Sequence, residues 1–388
     1  MSTINIIGVS VIGVFMLFIL MKNKKILSDY LLLLVNIFLA LILLTDVWLQ
    51  KRITPLHFIL HNLAPFFLFP VFLTYGMLLI DQKHQFKIQW LWFYSFAIGF
   101  SLFLLLDFVI LTNYDEASLI QRYEQPSLMY HFFYKGQKIF GIVLLFWFLR
   151  QLKSYNQSIK SYYSFIEPIK LKWLRNFSII QIIIYGVSFF AFLIYNFGFV
   201  EDISTVYIVL NTGIVLATFY LSFYGIQQYN LAQFNAIISD QTNNQTLLNT
   251  DEEKIQETEK NGKVFSLPEN RVNQIYEDVL LLFEEEQIYK EVNLKVNVLA
   301  EKLEVSAHHL SMTINSKTGK PFYDFVNEYR VEALKEKLRI PENKQFTILS
   351  LALDSGFNSK ASLNRIFKQH TQLTPSQFQK VHAIHSRE

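Results

Sequence analysis

Apolar positions along this chain fall into two regimes. Up to residue 226 they run together in seven long blocks, 4–22, 27–49, 57–80, 90–112, 130–151, 175–198 and 204–225. Each is near the length of about 20 residues that a helix needs to cross a bilayer. Beyond residue 268 the apolar positions instead recur every three or four residues, as on one face of a helix in water. Between the two lies a stretch with neither pattern. The expectation is an all-α chain with a seven-helix transmembrane bundle over 1–226, a juxtamembrane segment and flexible polar linker over 227–268, and a cytoplasmic helical domain over 269–388.

Loop charges orient the blocks. Lys22, Lys24 and Lys25 follow the first block, and Lys83 and Lys87 stand against Asp81 after the third. The loop after the fifth is the most basic, with Arg150, Lys153, Lys160, Lys170, Lys172 and Arg175 against Glu167. The loop after the fourth carries Asp115, Glu116 and Glu124 against Arg122, and the loop after the sixth carries Glu201 and Asp202. Cytoplasmic loops hold the excess of Lys and Arg, so the odd loops are placed inside. Lys51 and Arg52, after the second block, are the exception. This topology puts the N-terminus outside and everything after 226 in the cytoplasm, as a multi-pass protein of the inner membrane.

Composition sharpens this picture in three ways. Hydrophobic residues make up 52% of the chain, with 37 Phe and 20 Tyr concentrated before residue 226. The first block has no basic leader or small-residue cleavage site and reads as a retained span, not a signal peptide. The absence of cysteine excludes disulfides and thiolate metal sites.

Ionisable residues lie within or beside the blocks: Asp46, His57, His61, Asp107, His131, Lys135 and Lys138. Such groups usually face a bundle interior or a water-filled cavity. His57, His61, Asp107, His131, Lys135 and Lys138 are therefore candidates for a sensor pocket, against the plainer reading that each pairs structurally or snorkels to the interface. His57 and His61 have the four-residue spacing of two metal ligands, but no third ligand is specified, and no metal or cofactor is expected. Pro65 and Pro70 are expected to kink the third span.

The C-terminal pattern is more specific. After an opening helix with Ile275, Val279, Leu282 and Phe283 on one face, VNVLAEKLEVSAHHLSMTINSKTGK reads as helix, turn, helix. Leu299, Ala300 and Leu303 share a face, Ser306 is placed to cap the second helix, Leu310 and Ile314 are its core pair, and Gly319 ends it. ILSLALDSGFNSKASLNRIFKQHT repeats the logic, with Leu349, Ala352 and Leu353 in the first helix, Gly356 in the turn, Ser359 as cap, and Leu363 and Phe367 in the core. Phe322, Phe325, Tyr329 and Leu334 mark a long amphipathic helix between the units, on which Arg330 is expected to pair with Glu328 or Glu332.

These residues, and above all GFNSKASLNRIFK followed by LTPSQF, resemble the DNA-binding domain of the AraC family of bacterial transcription regulators. The remainder resembles a membrane-bound branch of that family with a multi-span N-terminal region. The resemblance implies a double helix-turn-helix fold whose two recognition helices, near 306–318 and 359–370, read adjacent major grooves about 34 Å apart. Matched to the family motif, the base-contacting candidates are Ala307, His308, Ser311 and Met312 in the first unit, and Lys360, Ala361, Asn364 and Arg365 in the second. The phosphate-contacting candidates are Ser306, Lys317, Lys320, Ser359 and Lys368. Glu304 stands where the family often places glycine; if that turn needs a positive φ, the cost is about 1 kcal/mol.

Residues 269–388 hold sixteen basic and sixteen acidic residues, so a strongly basic footprint is absent. This neutrality supports an alternative, a membrane receptor whose helix-turn-helix domain binds a protein. No phosphate loop, metal motif or nucleophile elbow is present, and the chain is not read as an enzyme. The leading expectation is a membrane-tethered, sequence-specific DNA-binding regulator, controlled by a signal sensed in or outside the membrane. Its expected partners are double-stranded DNA, the lipid bilayer, a second copy in a homodimer, and a small-molecule or protein cue.

Overall fold

The structure is a computed structural model, and it describes residues 2–23, 25–49, 54–81, 86–110, 128–167, 169–197, 199, 204–227 and 267–385. The polar linker and the acidic loop at 111–127, with Asp115, Glu116, Arg122 and Glu124, fall outside the described residues. So do Lys24, Lys51, Arg52, Lys83, Glu201 and Asp202. Among the described residues the regular structure is helical, with one isolated antiparallel bridge. The chain divides into two compact units, one of residues 1–153 and 171–248, the other of 154–170 and 249–388.

Among the described residues the first unit holds seven α-helices, one for each apolar block: α1 Ser2–Leu20, α2 Leu27–Leu49, α3 Pro55–Ile80, α4 Ser95–Ile110, α5 Leu128–Ser158, α6 Lys172–Asn196 and α7 Ser204–Gln227. A 3₁₀ turn, Ile88–Tyr94, leads into α4. Five of these, α1, α2, α3, α6 and α7, are long and apolar enough to cross a membrane, and Ile88–Leu104 is a shorter apolar run. α2 packs against α1 and α3, and α7 against α1 and α6. Large side chains stay exposed along the outer faces, among them Leu17, Ile183, Phe190 and Leu216. Contiguous apolar surface of this kind is unstable in water and suits hydrocarbon. α3 runs as one helix through Pro65 and Pro70, and Thr54 caps it by accepting from the His57 backbone N–H.

In the C-terminal part of the second unit the first described helix is α8, Glu269–Glu284, which buries Ile275, Val279 and Phe283. It continues through α9 Val296–Lys302, α10 Ala307–Thr318, α11 Phe322–Arg339, α12 Ile348–Leu353, α13 Lys360–Thr371 and α14 Pro375–His385. Two small cores form on either side of α11. Val279, Leu299, Leu310, Ile314, Phe322 and Val326 belong to the first. Around the second, Phe367 meets Phe378 edge-on with ring centroids 5.5 Å apart.

Residues 154–170, the end of α5 and the loop that leads on to α6, belong to this second unit. Tyr163 bridges Lys295 in antiparallel fashion. Val296 donates its N–H to the Tyr162 carbonyl at 3.0 Å, and Ser164 donates its N–H to the Leu294 carbonyl at 3.1 Å. Tyr162 packs on the first core, and Ser164 is 1% exposed. The apolar and basic pattern of this stretch marks it only as a loop, because the pairing needs backbone groups and not side-chain periodicity.

Candidate nucleic-acid interface

Each helix-turn-helix unit is built by the same local devices. In the first, α9 ends at Lys302 and the chain turns through Glu304, whose φ is +53°. Glu304 thus occupies the left-handed region that glycine would fill without strain. Ser306 accepts from the His309 N–H at 3.2 Å and so caps α10. Leu310 and Ile314 are fully buried, and Gly319 ends the helix at φ +68°. In the second unit Thr347 caps α12, Gly356 turns at φ +90°, and Ser359 caps α13 by accepting from the Ser362 N–H at 3.3 Å. Leu363 and Phe367 are buried as expected. α12 differs from expectation: Leu349 and Leu353 are exposed, and Leu351 and Ala352 face the core. A six-residue helix is too short for its period to be read reliably, and two of its apolar residues had to fall outside.

α11 joins the units. At 18 residues and about 1.5 Å per residue it spans about 27 Å. Arg330, at its centre, is 2% exposed and does not pair with Glu328 or Glu332. Glu328 instead holds Lys320 at 2.6 Å, and Glu332 holds Lys335 at 2.8 Å. Arg330 Nε donates to the Tyr289 carbonyl at 2.7 Å, and one terminal nitrogen donates to the Glu291 carbonyl at 2.7 Å and to Ser164 Oγ at 3.2 Å. Burial pulls its pKa down to about 10, so it stays charged at neutral pH, and carbonyl oxygens satisfy it in place of water.

The candidate DNA-facing residues separate into two groups. His308 and Met312 on α10, and Lys360, Ala361 and Asn364 on α13, are exposed. Lys317 and Lys368 are exposed beside them. Ala307 packs against the first core. Ser306 and Ser359 are committed as caps, which leaves the first-turn N–H groups of α10 and α13 near any approaching phosphate. Lys320 is engaged with Glu328.

Ser311 and Arg365 are engaged by the α5–α6 loop. Ser311 is 8% exposed and donates its hydroxyl to the Ser161 carbonyl at 3.0 Å. Arg365 donates to a carboxylate oxygen of Glu167, and to the Tyr323 hydroxyl at 2.5 Å. Burial works against the Arg365 charge, but the Tyr323 hydrogen bond and the Glu167 carboxylate outweigh it and hold the pKa above its ordinary value. Tyr323 is 2% exposed, and burial raises its own pKa. Neither Tyr323 nor Glu167 stands out in the sequence: the first looks like part of an aromatic helix face, the second like a lone acid in a basic loop.

The sensor candidates are only partly brought together. His61 Nδ1 lies 3.5 Å from Asp46 Oδ1 and 3.3 Å from Thr45 Oγ1. Asn5 and Asn211 both donate to Asp46 Oδ2, at 3.5 and 3.2 Å, so residues from α1, α2, α3 and α7 converge on one carboxylate. His57 lies against the Trp48 ring, with centroids 4.6 Å apart. Lys138, with Lys135 on the same helix, donates to Ser188 Oγ on α6 at 2.5 Å. The side chains of Asp107 and His131 lie outside the described residues.

Comparison with known proteins bears on the second unit. A family model described as a helix-turn-helix domain matches residues 299–380. Uncharacterised HTH-type transcriptional regulators of Staphylococcus aureus strains COL and MSSA476 are each 34% identical over 112 residues, 29% of this chain and 14% of theirs. This chain thus matches only a small part of those longer relatives. The probable transcription factor PqrA of Proteus vulgaris is 32% identical over 112 residues, again 29% of this chain but 85% of PqrA. No solved structure matches the chain significantly. With nearly the whole of PqrA matched, and its segment folded here as two capped helix-turn-helix units on one connecting helix, the chain belongs to the AraC family of helix-turn-helix transcription regulators.

Proposed function

We propose that this chain is a membrane-tethered, sequence-specific DNA-binding transcription regulator. Residues 1–226 act as anchor and sensor, 227–268 as juxtamembrane segment and linker, and 269–388 as the DNA-reading domain. The observation that carries the reading is the pair of capped helices α10 and α13, fixed to one rigid helix. His308 and Met312 face outward from one, and Lys360, Asn364 and Lys368 from the other. A helix of that width fits the major groove, and one rigid spacer sets two of them about one DNA turn apart. Asn364 has the chemistry to pair with adenine, and Arg365 to grip guanine in bidentate fashion.

The N-terminal half supports tethering through its long apolar helices and exposed apolar faces. Loop charge supports an orientation with the N-terminus outside and the DNA-reading domain in the cytoplasm. A cue acting from outside or within the membrane would shift the packing of the helices around Asp46 and His61, or beside Lys135 and Lys138. Because the DNA-reading domain has no net charge, a homodimer would double the phosphate contacts that one copy makes.

The test is genome-wide occupancy of the full-length protein in its host, beside a Lys360→Ala, Asn364→Ala variant. Discrete peaks that share a motif, and vanish in the variant, are the expected result. A stably inserted protein with no peaks under several growth conditions would favour the second reading, a receptor whose helix-turn-helix domain binds a protein. The domain's charge neutrality is the observation behind that reading.

A further inference from the structure

We propose, building on the DNA-binding reading, that residues 159–167 are a tethered competitor for DNA. This stretch docks on the DNA-reading unit and occupies one base-facing candidate from each recognition helix. The structure assigns the contacts by name: the Ser161 carbonyl takes the Ser311 hydroxyl of α10, and the Glu167 carboxylate takes the Arg365 guanidinium of α13.

The chemistry makes the two states exclusive at Arg365. A guanidinium has a rigid fork that fits a carboxylate, a phosphate or the paired acceptors of guanine in the same way. Glu167 presents an anion to that fork, as nucleic acid would. Arg365 cannot hold Glu167 and a guanine edge together. Ser311 is likewise spent: its hydroxyl has a single proton, and Ser161 takes it.

The docking is specific, not a stray surface ion pair. Two backbone hydrogen bonds flank the Tyr163–Lys295 bridge. Ser164 Oγ donates to the Leu294 carbonyl at 2.7 Å and accepts from Arg330, while the Ser164 carbonyl accepts from Asn327 at 3.2 Å. Lys160 adds an ion pair with Asp324 at 3.2 Å. An isolated exposed pair contributes under about 1 kcal/mol. A strand-like segment with its backbone paired and the buried Ser164 at its centre is held by a recognition mode in its own right.

The position of the segment in the chain gives the consequence. It is strung between α5 and α6, so a change in the spacing or tilt of those two helices pulls directly on it. Release would expose Arg365 and Ser311 together, and DNA occupancy would hold the segment off in turn, since coupling between two sites is reciprocal.

The absence of cysteine makes the test clean. The bonds Val296 N–H to Tyr162 and Ser164 N–H to Leu294 make Tyr163 and Lys295 a non-hydrogen-bonded pair. Such pairs have Cα atoms about 4.5 Å apart, within the range a disulfide spans. The full-length Tyr163→Cys, Lys295→Cys chain is placed in lipid nanodiscs, with duplexes selected from a random library on the unaltered chain as probe. The expected result is binding under reducing conditions, a loss of about tenfold or more on oxidation, and recovery with dithiothreitol; one good bidentate base contact already accounts for that factor. Glu167→Gln is expected to bind the same probe about tenfold more tightly than the unaltered chain. Equal binding by oxidised and reduced forms, or unchanged or weaker binding by Glu167→Gln, overturns the proposal. If the unaltered chain and Glu167→Gln both select no duplex, the DNA-binding reading itself has failed, a result distinct from equal binding.

Discussion

Gly356 rests directly on Arg330: a Cβ placed on this glycine would lie 3.0 Å from Arg330 Nε and 2.6 Å from the Tyr289 carbonyl oxygen that Nε holds. The turn of the second helix-turn-helix unit is thereby seated on a guanidinium buried in α11, and that guanidinium grips the backbone leading into the first. This contact fixes the two recognition helices on one frame. Gly356→Ala adds left-handed strain of about 1–2 kcal/mol to a backbone clash that no side-chain rotation relieves. The expected cost is about 3 kcal/mol or more. Gly319→Ala, at φ +68° with nothing within 4 Å of its Cβ, should cost about 1 kcal/mol. All five tryptophans lie before residue 174, so hydrogen exchange of α11 and α13 peptides, not fluorescence, is the measurement. Equal protection in the two variants would refute the seating.

Arg330 itself should be hard to replace. Its removal takes the donor from the Tyr289 carbonyl in a closed core and leaves the Glu291 carbonyl with only the Leu294 N–H at 3.2 Å. Arg330→Met keeps much of the volume and should still cost about 3 kcal/mol, at the low end for breaking a buried charged network. Arg330→Lys should recover little, because one ammonium cannot reach acceptors set out for a planar fork. Loss of exchange protection in both α9 and α13 is expected, since the residue serves both units. Loss confined to α9 would mean that Gly356 does not depend on it.

How far the sequence revealed these features depended on the kind of interaction. The seven apolar blocks were legible as long uninterrupted runs, and the caps Ser306 and Ser359, the glycines at 319 and 356, and the core pairs Leu310 with Ile314 and Leu363 with Phe367 were legible because each is a local rule acting over four residues or fewer. Arg330 was misread because Glu328 and Glu332 are near it in sequence, yet residues two apart do not share a helix face, and its acceptors are carbonyls about forty residues away. The role of residues 159–167 left no trace in periodicity, since its pairing with Leu294 and Val296 runs through the backbone. Glu167 and Arg365 are 198 positions apart, beyond any spacing argument.

Glu304 gives a prediction in the stabilising direction. Its φ of +53° places a β-carbon where only glycine is free of strain. Glu304→Gly relieves about 1–2 kcal/mol of that strain, while the greater freedom of glycine in the unfolded chain returns about 0.5–1 kcal/mol. A net gain of about 0.5–1 kcal/mol is expected, read as slower exchange in α9 and α10. Glu304 is exposed and no ion pair is found for it among the described residues, so the substitution removes little else. A net loss would show that the carboxylate has a role in the turn.

Lys360 and Lys368 test how the second unit meets DNA. Both are exposed on α13, one at its first turn and one at its last. A lysine that neutralises one phosphate contributes about 0.9 to the slope of log K against log salt. Lys368→Ala, as a phosphate contact, should weaken binding to all duplexes about equally and lower that slope by about one. Lys360 is the proposed base contact, so Lys360→Ala should instead narrow the gap between the selected duplex and a scrambled one, by about 1–3 kcal/mol. Binding titrations of the full chain at four salt concentrations separate the two effects. Should both variants change the slope alone, α13 lies along the backbone and not in the groove, and the base readout must come from α10.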